Sequence, residues 1–429
     1  MGDLEGFMNK EADLLVYNAS ELVTLARPHG RPHVGEEMQD LSPVPGGAVA
    51  IVEGRVAAVG CLEDVRDAVT VGPRTRLVDA GGRLVTPGLV DAHTHLVFAG
   101  SREEEFVLKV VEGLSYEAIE ERGGGIPVTV AHTRSASADQ LLRQARPVIT
   151  RMFASGATTI EAKSGYALEP EGEIKLLEVI QALDLEGPAE CVPTFFGTHS
   201  LPAEYTHRPD RFLKLVVEEM IPAVAKRGLA RFCDSGTALP VDQTEVLYAT
   251  AQKYDLRIKV HADEFRAVGG AELAAKWKAT SAEHCICSSD EGIEAMAASG
   301  VIAVLLPGVP LVHRLPQAAD GRRFIRRGMA VALGTDFNPS CLIESMSLVL
   351  SLGCYTVHLS PAEALTAATI NGAYATGCGE KVGSLEVGKQ ADLVIWEVSN
   401  HKQLAERVGG NIVAAVMKKG RLFFMKEGG

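Results

Sequence analysis

The sequence lacks the features that mark membrane, secreted and nucleic-acid-binding proteins. None of its 429 residues belongs to an apolar run of 18, the length needed to cross a bilayer. The first residues show no basic segment followed by an apolar core, so we expect no signal peptide. The eight cysteines form no CxxC pair, and the net charge is −13. We therefore expect a cytoplasmic protein with reduced thiols that acts on a small molecule, without a nucleic-acid or membrane partner.

Apolar residues are abundant, at 46% of the chain, and their pattern at the two ends is typical of β-strands. Near the N-terminus lie "ADLLVYNASELVTL" and "GAVAIVEGRVAAVG", and near the C-terminus "GSLEVGKQADLVIW" and "VAAVMKKGRLFFM". Each end alone has too few strands to bury a sheet face. The sequence therefore predicts one small β-sandwich domain built from residues 1–86 and 376–429.

Residues 87–375 show a different pattern, in which short apolar runs alternate with amphipathic helical stretches. Eight strands with intervening helices are typical of a closed (β/α)8 barrel of the TIM type, although an open doubly wound sheet is an alternative. The predicted strands are 88–95, 156–163, 190–197, 230–235, 256–261, 280–284, 301–307 and 329–336.

Histidines gather where these strands end. In "DAHTH", His93 and His95 follow an apolar run, and side chains two apart on a strand share a face. Barrels of this type carry their chemistry at the carboxyl ends of the strands, where His199, His261 and His284 also fall. This clustering favours a shared cation over solvated surface histidines. The histidines expected to be solvated or packed away from these ends are His132, His207, His313, His358 and His401.

One divalent cation can be given ligands from these strand ends. His93, His95, His261 and Asp336 would offer three nitrogens and one carboxylate, a set that suits Zn²⁺ or Fe²⁺. A catalytic site leaves one position open for water. A nearby carboxylate can take the proton of that water and pass it to a leaving nitrogen. We assign this role to Glu264, with an exposed carboxylate at a helix N-terminus as the alternative.

The fourth strand bears on the number of metal ions. It lies in "ARFCDSG" and lacks the terminal lysine that, once carboxylated, often bridges two metals in such barrels. We therefore expect one ion, with Asp234 and Cys233 as possible additional ligands. His284 is predicted to assist as a donor to a developing oxyanion. Alternatively, it is a structural histidine that bonds a backbone carbonyl.

The motifs now in view resemble the amidohydrolase superfamily and, more closely, its imidazolonepropionase family of histidine degradation. The resemblance covers residues 80–425 and rests on segments that occur in the family's order. It implies hydrolysis of the cyclic amide of 4-imidazolone-5-propanoate to N-formimidoyl-L-glutamate, one zinc or iron (Fe²⁺ or Fe³⁺) ion, and a homodimer. The segments are "PGLVDAHTHLVFAGSREEEF", "GGGI", "KSGYAL", "KVHADE", "SDEGI", "VIAVLLPG" and "GTDFNP".

The resemblance also implies roles for individual residues. Its metal ligands fall on the four residues chosen above, and Glu264, His284 and Asp336 take the catalytic positions. A guanidinium can grip the substrate carboxylate in a bidentate way, and an exposed arginine beside Glu103–Glu105 is the alternative. The sequence departs from the family at Ala167 and after "DFNP". The substrate contacts implied are Arg102, Tyr116, Tyr166, His199 and Asn338, with Ser340 and Cys341 as further contacts in the divergent loop.

Two other classes of function stay open at this point. A deaminase or another cyclic amidase would use the same metal ligands on a different heterocycle. The other is a barrel without metal that serves as an interaction protein. The complete set of predicted metal ligands counts against it.

Overall fold

The computed structural model describes residues 7, 10–27, 30–236 and 239–425. Parts of the predicted small domain (1–6, 8–9, 28–29 and 426–429) and residues 237–238 of the predicted barrel lie outside this description. Within the described ranges, no helix is both long enough and apolar enough to span a bilayer. All eight cysteines lie within these ranges and are free thiols.

Within its described residues, the N-terminal part of the chain contributes seven strands. In strand β1, Leu14 and Val16 enter one apolar core while Leu15 enters another beside Val65 of helix α1, Leu62–Ala68, because successive side chains point to opposite faces. The strands are β1 Leu14–Tyr17, β2 Glu21–Val23, β3 Pro43–Pro45, β4 Gly47–Val52, β5 Arg55–Cys61, β6 Arg76–Asp79 and β7 Leu84–Pro87.

The central part forms one sheet of eight parallel strands that pair in chain order. The sheet closes on itself where Asp336 N donates to His93 O at 3.1 Å and Thr94 pairs with Phe337. The fold is therefore the predicted (β/α)8 barrel, not the open sheet. The strands are β8 Leu89–Asp91, β9 Ala157–Lys163, β10 Glu190–Phe195, β11 Phe232–Ser235, β12 Arg257–Ala262, β13 Ser281–His284, β14 Ile302–Leu305 and β15 Val331–Leu333.

The first and last barrel strands are shorter than the sequence predicts. Regular pairing in β8 stops at Asp91, whose buried carboxylate accepts from Thr335 N at 2.9 Å and from the Thr335 hydroxyl at 2.6 Å. The backbone beyond forms only an isolated bridge, between Thr94 and Phe337, so His93 and His95 lie just outside the strand. The segments that follow β8 and β15 still run side by side, so the side chains of His93, His95 and Asp336 converge as predicted.

Helices cover the outside of the barrel. Helix α5 shows why they form: Ser137 and Gln140 make a reciprocal capping box, and Leu141, Ile149 and Met152 bury one face. The helices are α2 Glu103–Val111, α3 Tyr116–Glu121, α4 Ile126–Ser135, α5 Ala138–Ala154, α6 Pro170–Glu186, α7 Pro209–Leu215, α8 Ile221–Lys226, α9 Val241–Lys253, α10 Gly270–Lys276, α11 Asp290–Ser299, α12 Gly308–His313, α13 Gly321–Ile325, α14 Met346–Thr356, α15 Pro361–Ala367, α16 Ile370–Ala375 and α17 His401–Glu406. Short 3-10 turns occupy Gly35–Gln39 and Ala203–Tyr205, and a π-helical turn occupies Val216–Met220.

The two chain ends meet in a shared sheet. Strands β16 Leu393–Trp396, β17 Val413–Lys418 and β18 Arg421–Met425 extend a six-stranded sheet that also contains β7, β2 and β3. β16 pairs antiparallel with β7. A four-stranded sheet of β5, β4, β1 and β6 shares an apolar core with it, which makes a sandwich.

A buried ion cluster joins this sandwich to the barrel. Lys418 Nζ, at the end of β17, lies 2.7 Å from Glu190 Oε2 on barrel strand β10 and 2.7 Å from Asp392 Oδ2. Burial raises the pKa of the Glu190 carboxyl, but Lys418 and Lys381 outweigh it and hold that pKa below its ordinary value. The cluster therefore contributes stability as long as Glu190 is ionised.

Lys418→Met should lower the free energy of unfolding by about 3–5 kcal/mol near neutral pH, because it leaves the buried carboxylate of Asp392 without its cation and takes one of three lysines from the half-buried Glu190. Because the folded-state pKa of Glu190 is depressed, the contribution is present above its ordinary pKa of 4.5 and fades as the pH falls below it. Urea denaturation at several pH values measures both effects. Lys10→Met, which breaks an exposed pair with Glu53, is the control and should change little; equal losses in the two variants would contradict the prediction.

Candidate active site

The two histidines of "DAHTH" converge with the aspartate that follows β15. His93 Nε2 and His95 Nε2 lie 3.3 Å apart, and Asp336 Oδ1 lies 3.3 Å from the first and 3.6 Å from the second. All three residues are buried, and Asp336 Oδ1 has no hydrogen-bond partner. An ion bound at about 2.0–2.2 Å by several ligands brings its donor atoms this close together.

His261, on strand β12, completes the set that the sequence predicts. Its ring centroid lies 4.7 Å from that of His93 and 5.5 Å from that of His95. Its Nε2 atom is buried without a hydrogen-bond partner, although buried polar atoms are normally paired. One donor atom each from His93, His261 and His284 also lie within 4.8 Å of one another. The arrangement has the donors and the unpaired atoms that a bound cation requires.

Carboxylates stand behind two of these imidazoles. Glu283 Oε2 lies 2.8 Å from His93 Nδ1, and Asp234 Oδ2 lies 3.0 Å from His261 Nδ1. Such partners orient ligating histidines and fix which nitrogen faces the metal. Asp234 therefore contacts the ring nitrogen of His261 that lies opposite Nε2. Cys233, the other additional ligand considered above, is buried in the apolar core.

Protonation at the site reflects its shortage of positive charge. Burial and Lys163 both lower the pKa of His93, but Glu283 and Asp336 outweigh them and raise it to about 9. Although Asp336 Oδ1 lies 3.6 Å from His95 Nε2, burial together with its histidine neighbours drives the pKa of His95 well below the ordinary value. The carboxylates thus favour a cation among these rings.

Glu264 follows β12 on a tightly held loop. Its Oε1 lies 3.7 Å from His284 Nδ1, and burial together with the charge of Asp336 raises its pKa to about 8. The preceding Asp263 accepts hydrogen bonds from Val268 N and Gly270 N and also from the Ser288 hydroxyl. Glu264 is therefore a half-buried carboxyl, 21% exposed, with a high proton affinity, and not the exposed helix-terminal carboxylate of the alternative.

A cavity of about 400 Å³ opens over these groups. It brings together three of the four proposed metal ligands, the candidate base and six of the seven predicted substrate contacts, and His93 is not among its lining residues. Those of the predicted site residues that line it are His95, Arg102, Tyr116, Tyr166, His199, His261, Glu264, His284, Asp336, Asn338 and Ser340. Cys341 is not brought to the cavity, since it is fully buried behind the loop with its sulfur 3.7 Å from Thr335 O.

Arg102 caps the start of α2 and is buried, which excludes the alternative of an exposed surface arginine. Its Nε donates to Glu105 Oε2 at 3.0 Å, and its Nη2 donates to the Tyr116 hydroxyl at 3.4 Å. Glu105 also accepts from Gly125 N at 2.8 Å through its other oxygen. The guanidinium is thus fixed in orientation at the cavity wall.

Tyr166 and His199 occupy neighbouring loops after β9 and β10. Glu173 accepts from the backbone amides of Gly165 and Ala167 and so fixes the loop that carries Tyr166. His199 Nδ1 lies 3.1 Å from Gly165 O, and burial lowers the pKa of His199 to about 3. His199 is therefore neutral and donates from Nδ1, which leaves Nε2 as an acceptor.

In the loop after β15, the side chain of Asn338 bonds the loop's own backbone, whereas the sequence predicts only a substrate contact. Asn338 Oδ1 accepts from Ser340 N at 2.7 Å and from Cys341 N at 3.1 Å, and Asn338 Nδ2 donates to Asp336 O at 2.9 Å. Asn338 therefore shapes the loop as well as lining the cavity. Asp336 itself has φ 52°, a left-handed conformation that a non-glycine residue adopts only where its surroundings enforce it.

Sequence reasoning missed several lining residues. His313, expected to be solvated or packed away from the strand ends, lines the cavity at the end of α12, with its ring centroid 5.3 Å from that of Tyr116. That expectation was wrong, because helix α12, which follows the carboxyl end of β14, brings His313 to the cavity wall. Phe265, beside the singled-out Glu264, stacks on Tyr116 at 5.8 Å. The other missed lining residues are Glu117, Glu120, Ile126, Phe196, Ser200, Leu201, Gly236 and Arg266.

Fold and site together define a metal-dependent hydrolase of the amidohydrolase class, and comparisons with known proteins agree. The amidohydrolase family model matches residues 84–423. An adenosine deaminase from Xanthomonas campestris with bound zinc has the same fold, with a TM-score of 0.73 at 20% identity over 97% of this chain and 94% of that one.

Closer relatives are found among curated sequences. The imidazolonepropionase of Geobacillus sp. (strain WCH70) is 45% identical over 95% of this chain and 97% of its own length. That of Symbiobacterium thermophilum is 45% identical over 96% of this chain and 97% of its own. The chain belongs to the imidazolonepropionase family.

Proposed function

We propose that this chain hydrolyses 4-imidazolone-5-propanoate to N-formimidoyl-L-glutamate in histidine degradation. The observation that carries this proposal is a single cavity that holds a buried guanidinium, from Arg102, together with the histidine and carboxylate cluster. Such a cavity suits an anionic substrate with a hydrolysable cyclic amide. The names of the relatives agree with this choice.

One ion, zinc or iron, would be held by His93, His95, His261 and Asp336. The unpaired His261 Nε2 and Asp336 Oδ1 fit this assignment, and the mixed nitrogen and oxygen donors suit either metal. The zinc in the Xanthomonas campestris structure favours zinc. When bound, the ion supplies an acidic water and polarises the substrate carbonyl.

Glu264 would move the proton. As a base it takes one from the attacking water, whose oxygen bonds to the ring carbonyl carbon. As an acid it returns that proton to the ring nitrogen when the C–N bond breaks. Its raised pKa means that it holds the proton long enough to deliver it. His284, with Nδ1 at 3.7 Å from Glu264, would donate to the oxyanion that forms.

Substrate would be oriented from the other side of the cavity. Arg102 would bind the propanoate carboxylate, with Tyr116 holding the guanidinium in place. Tyr166 and neutral His199 would hydrogen-bond the ring nitrogens, and His199 Nε2 accepts only while the ring is neutral. Asn338 and Ser340 would close the site at the loop after β15.

Glu264→Gln should lower kcat by about 10²–10⁴-fold, the usual contribution of a general acid–base group, without loss of bound metal. Because the base must be ionised, wild-type kcat/KM should fall as the pH drops through the pKa of Glu264. That pKa is raised to about 8 by burial and Asp336, and a bound dication would lower it. Ultraviolet assays with fresh substrate and a no-enzyme control measure this. Full activity in Glu264→Gln would remove the proposed base.

Arg102→Met should raise KM and lower kcat/KM by at least about tenfold, since a charge-assisted bidentate contact contributes 1.5–3 kcal/mol. The control is a substrate analogue whose propanoate is converted to a neutral amide, on which wild type and variant should perform alike. An equal loss of kcat/KM on the acid and on the amide would show that Arg102 does not bind the carboxylate. Unchanged turnover of the acid would favour a neutral heterocycle and hence the deaminase alternative.

We further propose a homodimer that works in the cytoplasm. Four large apolar side chains on α2, Phe106, Val107, Val110 and Val111, are between 47% and 75% exposed. Phe106 and Val110 also line an apolar groove with Leu311 and Leu342. Contiguous exposed apolar surface of this kind is typical of subunit contacts. The free cysteines suit a reducing compartment.

Light scattering coupled to size-exclusion chromatography should give twice the monomer mass. Val107→Glu together with Val111→Glu should shift the protein towards monomer, because charged side chains are costly in an apolar contact. A matched pair of glutamates at Val241 and Val246 of α9, both exposed at 48%, should not. A monomeric wild type would refute the dimer.

A further inference from the structure

A buried lysine lies at the centre of the barrel, next to the metal-ligand cluster. Lys163, the last residue of β9, has no solvent exposure. Its Nζ lies 2.8 Å from Glu161 Oε1, 2.8 Å from Asp234 Oδ2 and 2.8 Å from Glu283 Oε2. The role proposed above for the site does not use this residue.

Two of those three oxygens are the ones that face the metal-binding histidines. Asp234 Oδ2 lies 3.0 Å from His261 Nδ1, and Glu283 Oε2 lies 2.8 Å from His93 Nδ1. The same oxygen atoms therefore contact the ammonium on one side and an imidazole on the other. Two short hydrogen-bond paths result. One runs from Lys163 through Asp234 to His261, and the other runs from Lys163 through Glu283 to His93.

We propose that Lys163 is a positioning residue for the metal site, and this inference rests on the proposed function of that site. Its ammonium pulls two carboxylates to one point and so sets the direction of both imidazoles. Donor atoms of Asp234, His261 and Glu283 lie within 4.8 Å of one another, as in a cation site, and the ammonium sits at 2.8 Å from two of them. Lys163 thus takes the place that a second ion would otherwise have.

Electrostatics explains why the ammonium is needed. Without it, the buried Asp234 and Glu283 carboxylates would face each other with only imidazole between them, and only Lys259, on the other oxygen of Glu283, would offset their charge. Like charges at this separation in a dry interior repel strongly, so one carboxylate would turn away. That movement would remove the acceptor that holds the Nδ1 side of a ligand, which lowers metal affinity.

The test compares two buried lysines. Lys259 Nζ lies 2.7 Å from Glu283 Oε1, the oxygen that does not face His93, and it is likewise fully buried. Lys163→Met should weaken Zn²⁺ or Co²⁺ affinity by about 10–100-fold, as loss of an outer-shell partner usually does. Lys259→Met should keep an affinity near that of wild type, although both variants lose a buried charge pair.

The readouts are chelator competition for Zn²⁺, the visible absorption of the Co²⁺-loaded protein, and thermal unfolding of the metal-free protein. Lys163→Met should shift the Co²⁺ bands because the histidines are no longer held in one orientation, while Lys259→Met should not. Wild-type affinity in Lys163→Met, or equal losses in both variants, would overturn the inference. If the wild type itself binds no divalent ion, the proposed metal site fails instead.

A milder variant covers the case in which Lys163→Met does not fold. Asp234→Asn keeps the ammonium and the side-chain shape but removes the charge that links Lys163 to His261. A metal affinity at least about tenfold weaker is expected. Wild-type affinity and an unchanged Co²⁺ spectrum in this variant would count against the inference.

Discussion

Charge balance inside the barrel is the constraint on which this site depends. Around it, four buried carboxylates (Glu161, Asp234, Glu283 and Asp336) stand against two buried ammonium groups, those of Lys163 and Lys259. Ions out of water must be paired, so the remaining negative charge calls for a cation. The imidazole of His93 responds to this demand, with its pKa raised to about 9. A bound dication would also neutralise these buried carboxylates, so the same charge balance bears on both metal binding and the stability of the barrel interior.

The sequence predicted the part of the site that follows from barrel geometry. Residues at the carboxyl ends of parallel strands must meet at one rim, so His93, His261 and Asp336 could be grouped without coordinates. Glu283 shows the limit of this reasoning. The sequence placed His284 at this rim, and alternation along a strand then points Glu283 to the opposite side, yet both reach the site, with His284 at a left-handed φ of 66°. Such a departure from alternation carries no signature in the letters "AEH".

The sequence also could not predict which side chains hold the active-site loops in place by bonding backbone amides. Asp263, Glu173 and Asn338 each accept from two or more backbone amides and so fix the loops that carry Glu264, Tyr166 and Ser340. Motif spacing places such residues near the site but does not distinguish a loop scaffold from a substrate contact. His313 shows the same limit at the level of helices, because nothing in its segment says that α12 brings it to the cavity wall.

The pairing of β7 with β16 has a consequence for how the chain is made. Leu393 lies opposite Pro87, so β7 can complete its pairing only after more than three hundred further residues have been synthesised. Synthesis at 5–20 residues per second puts at least about fifteen seconds between them. During that interval the nascent N-terminal strands keep an unpaired sheet edge, which can pair with other chains before β16 is made.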